Sequence, residues 1–340
     1  MGRWASVPPA SAGPFQNLGM KTKDPGGDAG FSQDTGVKSP WDSIFKWFTF
    51  LMAMSVIALI FLVGYELFKS SRLSISKFGW RFLVSSDWDP VAEQFGALPF
   101  IFGTLVSSLI ALIIAVPLSI GTALYLTELA PVWVRAPLAF LVQLLSAVPS
   151  VILGLWGIFV MVPWLRENLF PWLRSAFGFS PLFQGPIYGV SILAGGIIIA
   201  IMILPIITSV SREIIRSVPG LQREAAYALG ATRWEVTRIA VLSYAKKGLF
   251  GAVILGLGRA LGETMAVTMV IGNRPEIAKS LFAPGYTLAS VVANEFAEAT
   301  TEIYLHALFE IGLVLLGVTV LVNALAQLLL RAFGGSGVKA

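Results

Sequence analysis

The chain has 340 residues, of which 56% are hydrophobic and 13% are charged, which is more apolar than a typical soluble domain. It contains no cysteine and one histidine, so disulfides, iron–sulfur clusters and cysteine-ligated zinc are excluded and we predict neither a catalytic nor a metal site. The formal net charge of +5 is spread over polar segments between apolar blocks, which favours a membrane protein over a nucleic-acid-binding one.

The N-terminal segment, residues 1–43, is a mixed string of Gly, Pro, Ser, Asp and Lys without an apolar run. Such a composition cannot bury a core, so we expect a disordered cytoplasmic tail. The apolar stretch that follows is too long for the hydrophobic region of a signal peptide. We therefore predict that this stretch stays in the membrane.

The sequence predicts an all-α, polytopic membrane protein of about six transmembrane helices, because six windows reach the roughly 20 apolar residues that a span needs. The predicted helices lie near 44–68, 98–126, 136–165, 187–210, 248–272 and 305–330. Residues 44–97 would form the first helix and an outer loop, 98–330 a core transmembrane domain, and 331–340 a short cytoplasmic tail. Pro117, Pro149 and Pro205 predict kinks within the long apolar blocks.

The distribution of Lys and Arg predicts the orientation. More of them lie in the segments that are inside when the N-terminus is cytoplasmic, so we expect both termini in the cytoplasm of a prokaryotic plasma membrane. Of the outer segments, 273–304 carries an apolar stripe at Leu288, Val291, Val292 and Phe296. This spacing predicts an amphipathic helix on the outer surface.

The inside loop 211–247 is too long for a simple connection. Pro219 and Gly220 interrupt a helix, residues 221–229 read as a short amphipathic helix, and Gly230 stops it. This arrangement presents a short helix to the cytoplasm. The alternative is a helix that lies on the inner membrane face because of its arginines.

A charged pair, Arg259 and Glu263, falls in the middle third of the fifth predicted helix, one turn apart. An ionised side chain at mid-bilayer costs about 2.5 to 3.5 kcal/mol, so such residues normally face protein or a water-filled pathway. We interpret the pair as part of an anion pathway, with a helix-stabilising salt bridge as the alternative. Gly258 and Gly262 form a GxxxG pattern that predicts close helix packing.

Small hydroxyl residues supply further candidates for the pathway. Thr104, Ser146 and Ser150 could donate to an anion, although such residues in membrane helices often bond their own backbone. The sequence contains no GxxxxGK[ST] phosphate-binding loop. If ATP drives the protein, a partner must bind and hydrolyse it, and we expect no cofactor in this chain.

The segment Glu224-Ala225-Ala226, followed after three residues by Gly230-Ala231, resembles the EAA loop of ABC importer permeases. The resemblance implies a coupling helix that docks in a groove of an ATPase subunit, with the small residues allowing close approach and Glu224 as a polar anchor. Ser243 stands where the family commonly has proline, and we expect a modest effect.

The wording GRALGETMAVTMVIGN at 258–273, together with segments 102–131, 146–157 and 281–299, resembles the phosphate ABC importer permeases of the PstC type. The resemblance implies a type I-like importer permease fold, alternating access, and a role of Arg259 and Glu263 in phosphate passage. The implied partners are a PstA-type permease in a heterodimer, a PstB-type ATPase dimer and a PstS-type phosphate-binding protein. The chain would be a non-catalytic subunit.

Three alternatives remain open from the sequence. Two belong to the same class: the paralogous PstA-type partner, and a permease for sulfate or molybdate. The third is a passive anion channel or secondary transporter, which predicts anion flux without ATPase subunits and leaves the EAA-like loop without a purpose.

Overall fold

The computed structural model describes residues 40–334. The predicted tails lie largely outside this range, apart from residues 40–43 and 331–334, which are helical. The contacts divide the chain into two units, Met1–Ile57 and Ala58–Ala340. The described part of the first unit is a single helical segment whose side chains are exposed.

Residues 40–334 form helices and contain no β-strand, only two isolated bridges. The helices are α1 (Pro40–Ser70), α2 (Arg72–Phe78), α3 (Arg81–Val84), α4 (Leu98–Leu129), α5 (Val132–Ala147), α6 (Ser150–Phe177), α7 (Ile192–Arg216), α8 (Gly220–Ala228), α9 (Arg233–Leu261), α10 (Met265–Ile271), α11 (Leu288–Glu295) and α12 (Glu302–Gly334). Within this part of the chain, six helices are long and apolar enough to cross a membrane: α1, α4, α6, α7, α9 and α12. The predicted all-α polytopic class is confirmed.

The third predicted helix, 136–165, is wrong in its bounds. Helix α5 ends at Ala147 and α6 begins at Ser150, because Val148 and Pro149 adopt extended backbone conformations. Proline disfavours a helical conformation in the residue before it. Pro149 therefore separates two helices, whereas Pro117 and Pro205 lie inside α4 and α7 as expected.

Helix α7 is the centre of the core, with most of its apolar window buried. Helix α4 packs along α7, and α9 packs on both. Ile198, Ile203 and Ile207 of α7 are fully buried. At Gly196 an added Cβ would lie 2.5 Å from Ile110 Cγ2, so a small residue is needed for this close approach. Such tight van der Waals packing drives helix association where lipid removes most of the hydrophobic driving force.

An aromatic cluster around Glu295 joins three segments of the second unit. Glu295 accepts hydrogen bonds from Trp88 Nε1 at 2.8 Å and from the Tyr304 hydroxyl at 2.7 Å. These contacts connect the segment before α4, the end of α11 and the start of α12. Helix α11 is the predicted amphipathic helix, and it buries Leu288 and Val291.

Candidate functional site

The predicted fifth helix is broken where its charged residues lie. Helix α9 ends at Leu261, residues 262–264 are not α-helical, and α10 begins at Met265. Glycine costs about 1 kcal/mol relative to alanine inside a helix, so Gly262 makes this a favourable place for an interruption. The expectation that Arg259 and Glu263 sit in one continuous helix is therefore wrong.

Arg259 and Glu263 nevertheless form an ion pair across the end of α9. The Arg259 Nη2 atom lies 3.1 Å from Glu263 Oε2. Arg259 occupies the last turn of α9, where the helix dipole favours a positive charge. Glu263 lies in the break and is buried, so its carboxylate needs a cationic partner to offset the loss of hydration.

The two members of the pair differ in exposure. The Glu263 side chain is 3% exposed, whereas that of Arg259 is 48% exposed. Leu255 and Met265 near Arg259 are also exposed, so this face of α9 and α10 is not covered by the chain itself. A guanidinium group has five N–H donors. The pair thus fixes one side of Arg259 and leaves donors available on the other.

The predicted pathway hydroxyls are placed differently. Thr104 is buried, donates to the carbonyl of Phe100 at 2.7 Å and accepts from the backbone N–H of Leu288 at 2.9 Å. This gives Thr104 a fastening role between α4 and α11. Ser146 donates to the carbonyl of Gln143 at 2.7 Å, and Ser150 is the first residue of α6. No recorded contact within residues 41–331 joins these hydroxyls to the charged pair, and their pathway role stays a prediction.

The GxxxG interpretation needs correction. Gly262 lies beyond the end of α9 and is exposed, so it cannot share a helix face with Gly258. A Cβ added at Gly258 would lie 4.0 Å from Asn323 Nδ2 on α12, which is ordinary contact. The tight approach is at Gly256, where an added Cβ would meet Ile207 of α7 at 2.6 Å.

The EAA-like loop forms the short helix that the sequence predicts, α8, between α7 and α9. None of its residues is buried in the chain. Gly230 follows the helix with φ +82°, a left-handed conformation that glycine adopts without strain. Leu221 and Leu229 are 78% and 89% exposed, respectively. Both leucines lie outside the candidate spans and are not covered by the described part of the chain.

The remaining loop residues singled out by sequence share this exposed position: Glu224, Ala225 and Ala226 lie in α8, and Ala231 follows Gly230. Ala226 and Ala231 are partly covered, while Glu224 and Ala225 are exposed. The backbone N–H of Ala231 donates to the carbonyl of Ala226 at 3.2 Å, closing the helix end. Because these side chains are small, they project little from the surface around the end of α8.

Sequence reasoning missed the residue that anchors α8, Arg223. Its Nη2 atom lies 2.9 Å from Oε1 of Glu128, at the end of α4. Its guanidinium also donates to the carbonyl oxygens of Ile215 at 3.0 Å and Val218 at 2.6 Å, at and just after the end of α7. Arg223 therefore ties α8 to α4 and α7. No local sequence signal could find this contact, because Glu128 is 95 positions away.

The chain matches one family model and several known proteins. Residues 115–334 match the family described as "Binding-protein-dependent transport system inner membrane component". The chain is 47% identical to the phosphate transport system permease protein PstC of Mesorhizobium japonicum, over 85% of this chain and 90% of that one. It is 46% identical to the protein of that name from Pasteurella multocida, over 84% and 91% of the two chains.

A more distant relative is the probable phosphate transport system permease protein PstC of Methanocaldococcus jannaschii. It is 35% identical over 80% of this chain and 89% of that one. Among solved structures, an inward-facing MetNI methionine ABC transporter gives a TM-score of 0.48 at 18% identity, covering 70% of this chain and 94% of that one. The resemblance inferred from the sequence motifs is confirmed by the curated relatives.

Proposed function

The chain belongs to the family of binding-protein-dependent transport system inner membrane components. We propose that Arg259 and Glu263 form part of its phosphate pathway and that α8 couples this pathway to a separate ATPase. The chain is a multi-pass inner membrane permease of a phosphate ABC importer. It is a subunit of a transport system. ATP is bound and hydrolysed by a separate subunit, and this chain performs no catalysis of its own.

The observation that carries the proposed pathway is the uneven exposure of the Arg259–Glu263 pair. Glu263 is buried and holds Arg259 in place, while nearly half of the Arg259 side chain faces away from the chain. Phosphate offers oxygen acceptors that match the planar fork of a guanidinium. Arg259 binds the passing anion, and Glu263 weakens that attraction by sharing the positive charge, so that the anion can leave again.

The helix break supports the same proposal. Residues 262–264 separate α9 from α10, and non-helical backbone at membrane depth is tolerated where it is buried in protein or lines a water-filled cavity. Discontinuous helices of this kind are typical of binding sites in transporters. The break also allows α9 and α10 to shift relative to each other beside Arg259 during alternating access.

Coupling to the ATPase is assigned to α8. Leu221, Ala225 and Gly230 in and beside it are exposed, while Arg223 ties it to the ends of α4 and α7. A displacement of α8 by a docked subunit is therefore transmitted directly into the two helices at the centre of the core. Coupling requires that the docked partner prefers one conformation of the permease over the other.

The proposed orientation follows from α8. Among residues 40–334, four candidate spans precede α8 and two follow it, so if α8 faces the cytoplasm, both ends of this part of the chain lie in the cytoplasm as well. The Lys and Arg distribution favours the same side. The proposed complex contains a PstA-type permease as the heterodimer partner, two PstB-type ATPase subunits on the α8 side and a PstS-type phosphate-binding protein on the outer side.

The experiment is uptake of labelled phosphate into vesicles that contain this chain with its partner permease, ATPase and binding protein, in the presence of ATP. We expect accumulation that resists excess sulfate and disappears when the ATPase is omitted. Inhibition by sulfate would indicate that the substrate is another oxyanion and not phosphate. Uptake without the ATPase would overturn coupling through α8 and favour a passive channel or secondary transporter.

A further inference from the structure

Glu310 is a buried carboxylate that the proposed transport mechanism does not use. It lies in α12 and is 6% exposed. Its Oε2 atom has no hydrogen-bond partner, and no salt bridge to Glu310 is found among the described residues. An ionisable side chain within a membrane span is costly unless it is paired. The missing partner therefore needs an explanation.

Glu310 lines an open groove of about 520 Å³ between α12 and the α2–α3 segment. One wall includes Ile75, Trp80 and Leu83, and α12 contributes Glu310, Gly317 and Leu321 to the other. Apart from Glu310, the lining is almost wholly apolar. A Cβ added at Gly317 would meet no atom within 4 Å, so the absence of a side chain there leaves the groove open.

The groove has the length and polarity of a lipid site. From Glu310 to Leu321, α12 advances roughly 16 Å at 1.5 Å per residue. The carboxylate lies at the end nearer the start of α12, and the apolar walls continue from it along the helix. Trp80, which is 73% exposed, also lines the groove, and tryptophan is enriched where membrane meets water.

We propose that this groove binds phosphatidylethanolamine, with the lipid ammonium on Glu310 and one acyl chain along Gly317 and Leu321. The headgroup amine is a compact cation with three donors, which satisfies the Glu310 Oε2 atom that has no hydrogen-bond partner among the described residues. The acyl chain fills the space that Gly317 leaves. A lipid with an anionic headgroup and no amine would place its charge against Glu310 and is disfavoured.

The test uses the assembled transporter, purified in detergent and exposed to defined lipids, with native mass spectrometry to count the lipids retained. Wild-type complex should retain phosphatidylethanolamine about tenfold better than phosphatidylglycerol, the effect of roughly one charge-assisted hydrogen bond. Glu310→Gln keeps the side-chain volume and should reduce the preference to about one. Gly317→Leu fills the groove and should lower retention of both lipids.

Gly121→Leu is the matched control, because an added Cβ there also meets no atom within 4 Å and Gly121 lies on α4, outside the groove. It should leave retention and preference unchanged. Equal retention of the two lipids by wild type would overturn the proposal, as would a preference for phosphatidylethanolamine that survives both Glu310→Gln and Gly317→Leu. These outcomes do not depend on phosphate uptake, so they are independent of the proposed transport mechanism.

Discussion

Two arginine–glutamate pairs, Arg223–Glu128 at α8 and Arg259–Glu263 at the helix break, use their guanidinium groups in opposite ways. Arg223 contacts a carboxylate and two backbone carbonyls, and both side chains of the pair are mostly covered, at 22% and 18% exposed. Arg259 has one recorded ion pair and is 48% exposed. The N–H donors of Arg223 are used in contacts within the chain, whereas Arg259 keeps N–H donors that can bind a group outside it.

The comparison teaches that pairing alone does not distinguish a structural arginine from a ligand-binding one. Both pairs have short contacts, 2.9 Å and 3.1 Å. What differs is whether the remaining N–H groups have partners within the chain. If this difference is functional, substitutions at Arg259 should affect phosphate passage, and substitutions at Arg223 should affect the link between ATP hydrolysis and passage.

The largest effect is expected for Arg259→Ala. Removing the guanidinium takes away the proposed phosphate contacts and leaves Glu263 buried without a cation. Charge-assisted hydrogen bonds are worth up to about 3 kcal/mol, so uptake should fall about 100-fold or more. The measurement is ATP-dependent uptake of labelled phosphate into vesicles, with co-purification of all subunits to show that the complex assembles.

Arg259→Lys is the matched control, since it keeps the charge but loses the bidentate fork. We expect its uptake to lie between wild type and Arg259→Ala. Uptake that survives Arg259→Ala in an assembled complex would remove the pathway role and reduce the pair to a helix-end salt bridge.

The next effect is expected for Gly230→Trp, at the residue that stops α8. The indole would project from the surface beside α8 and prevent close docking of the ATPase. ATP-driven uptake should therefore fall more than about tenfold, the equivalent of 1.4 kcal/mol or more. The measurement is uptake together with retention of the ATPase on the membrane. Unchanged uptake would contradict docking at this surface.

Gly230→Ala distinguishes the effect of the size of the indole side chain from the effect of backbone strain at this position. Its Cβ meets no atom within 4 Å, so the only cost is the left-handed φ of +82°, about 1 to 2 kcal/mol for a residue other than glycine. We expect a small loss of thermal stability and near-normal uptake. An equal loss of uptake in both variants would assign the effect to strain.

A smaller and different effect is expected for Arg223→Ala. Without its three contacts α8 is less firmly attached to α4 and α7, so ATP hydrolysis should continue while less phosphate moves per ATP. We expect about a tenfold drop in that ratio, since the loss of these charged contacts costs at least about 1.5 kcal/mol. The measurement is the ratio of uptake to ATP hydrolysis in the same vesicles, which a general loss of folding would not change.

Among the described residues the sequence predicts the number of spans, because each is a long apolar run that needs no knowledge of distant residues, but it misplaces the bounds of the third. It does not predict the break after Leu261, because the apolar pattern continues through α10 and Gly262 fits a packing motif equally well. It also misses the Arg223–Glu128 contact and the bond from Leu288 to Thr104. These depend on which helix ends meet in the folded chain, and that is decided by tertiary packing.

The smallest effect is expected for Glu128→Gln. This variant tests whether Arg223 holds α8 mainly through its ion pair with Glu128 or through its hydrogen bonds to backbone carbonyls. Glutamine keeps the shape of the side chain and removes the charge, while Arg223 retains its bonds to the carbonyls of Ile215 and Val218. Partly exposed ion pairs contribute up to about 1 kcal/mol, so the phosphate moved per ATP should fall about fivefold or less. A loss as large as that of Arg223→Ala would show that the carbonyl contacts alone do not hold α8. A small loss would show that the end of α7 is its main attachment, which makes the contrast with the single contact of Arg259 sharper.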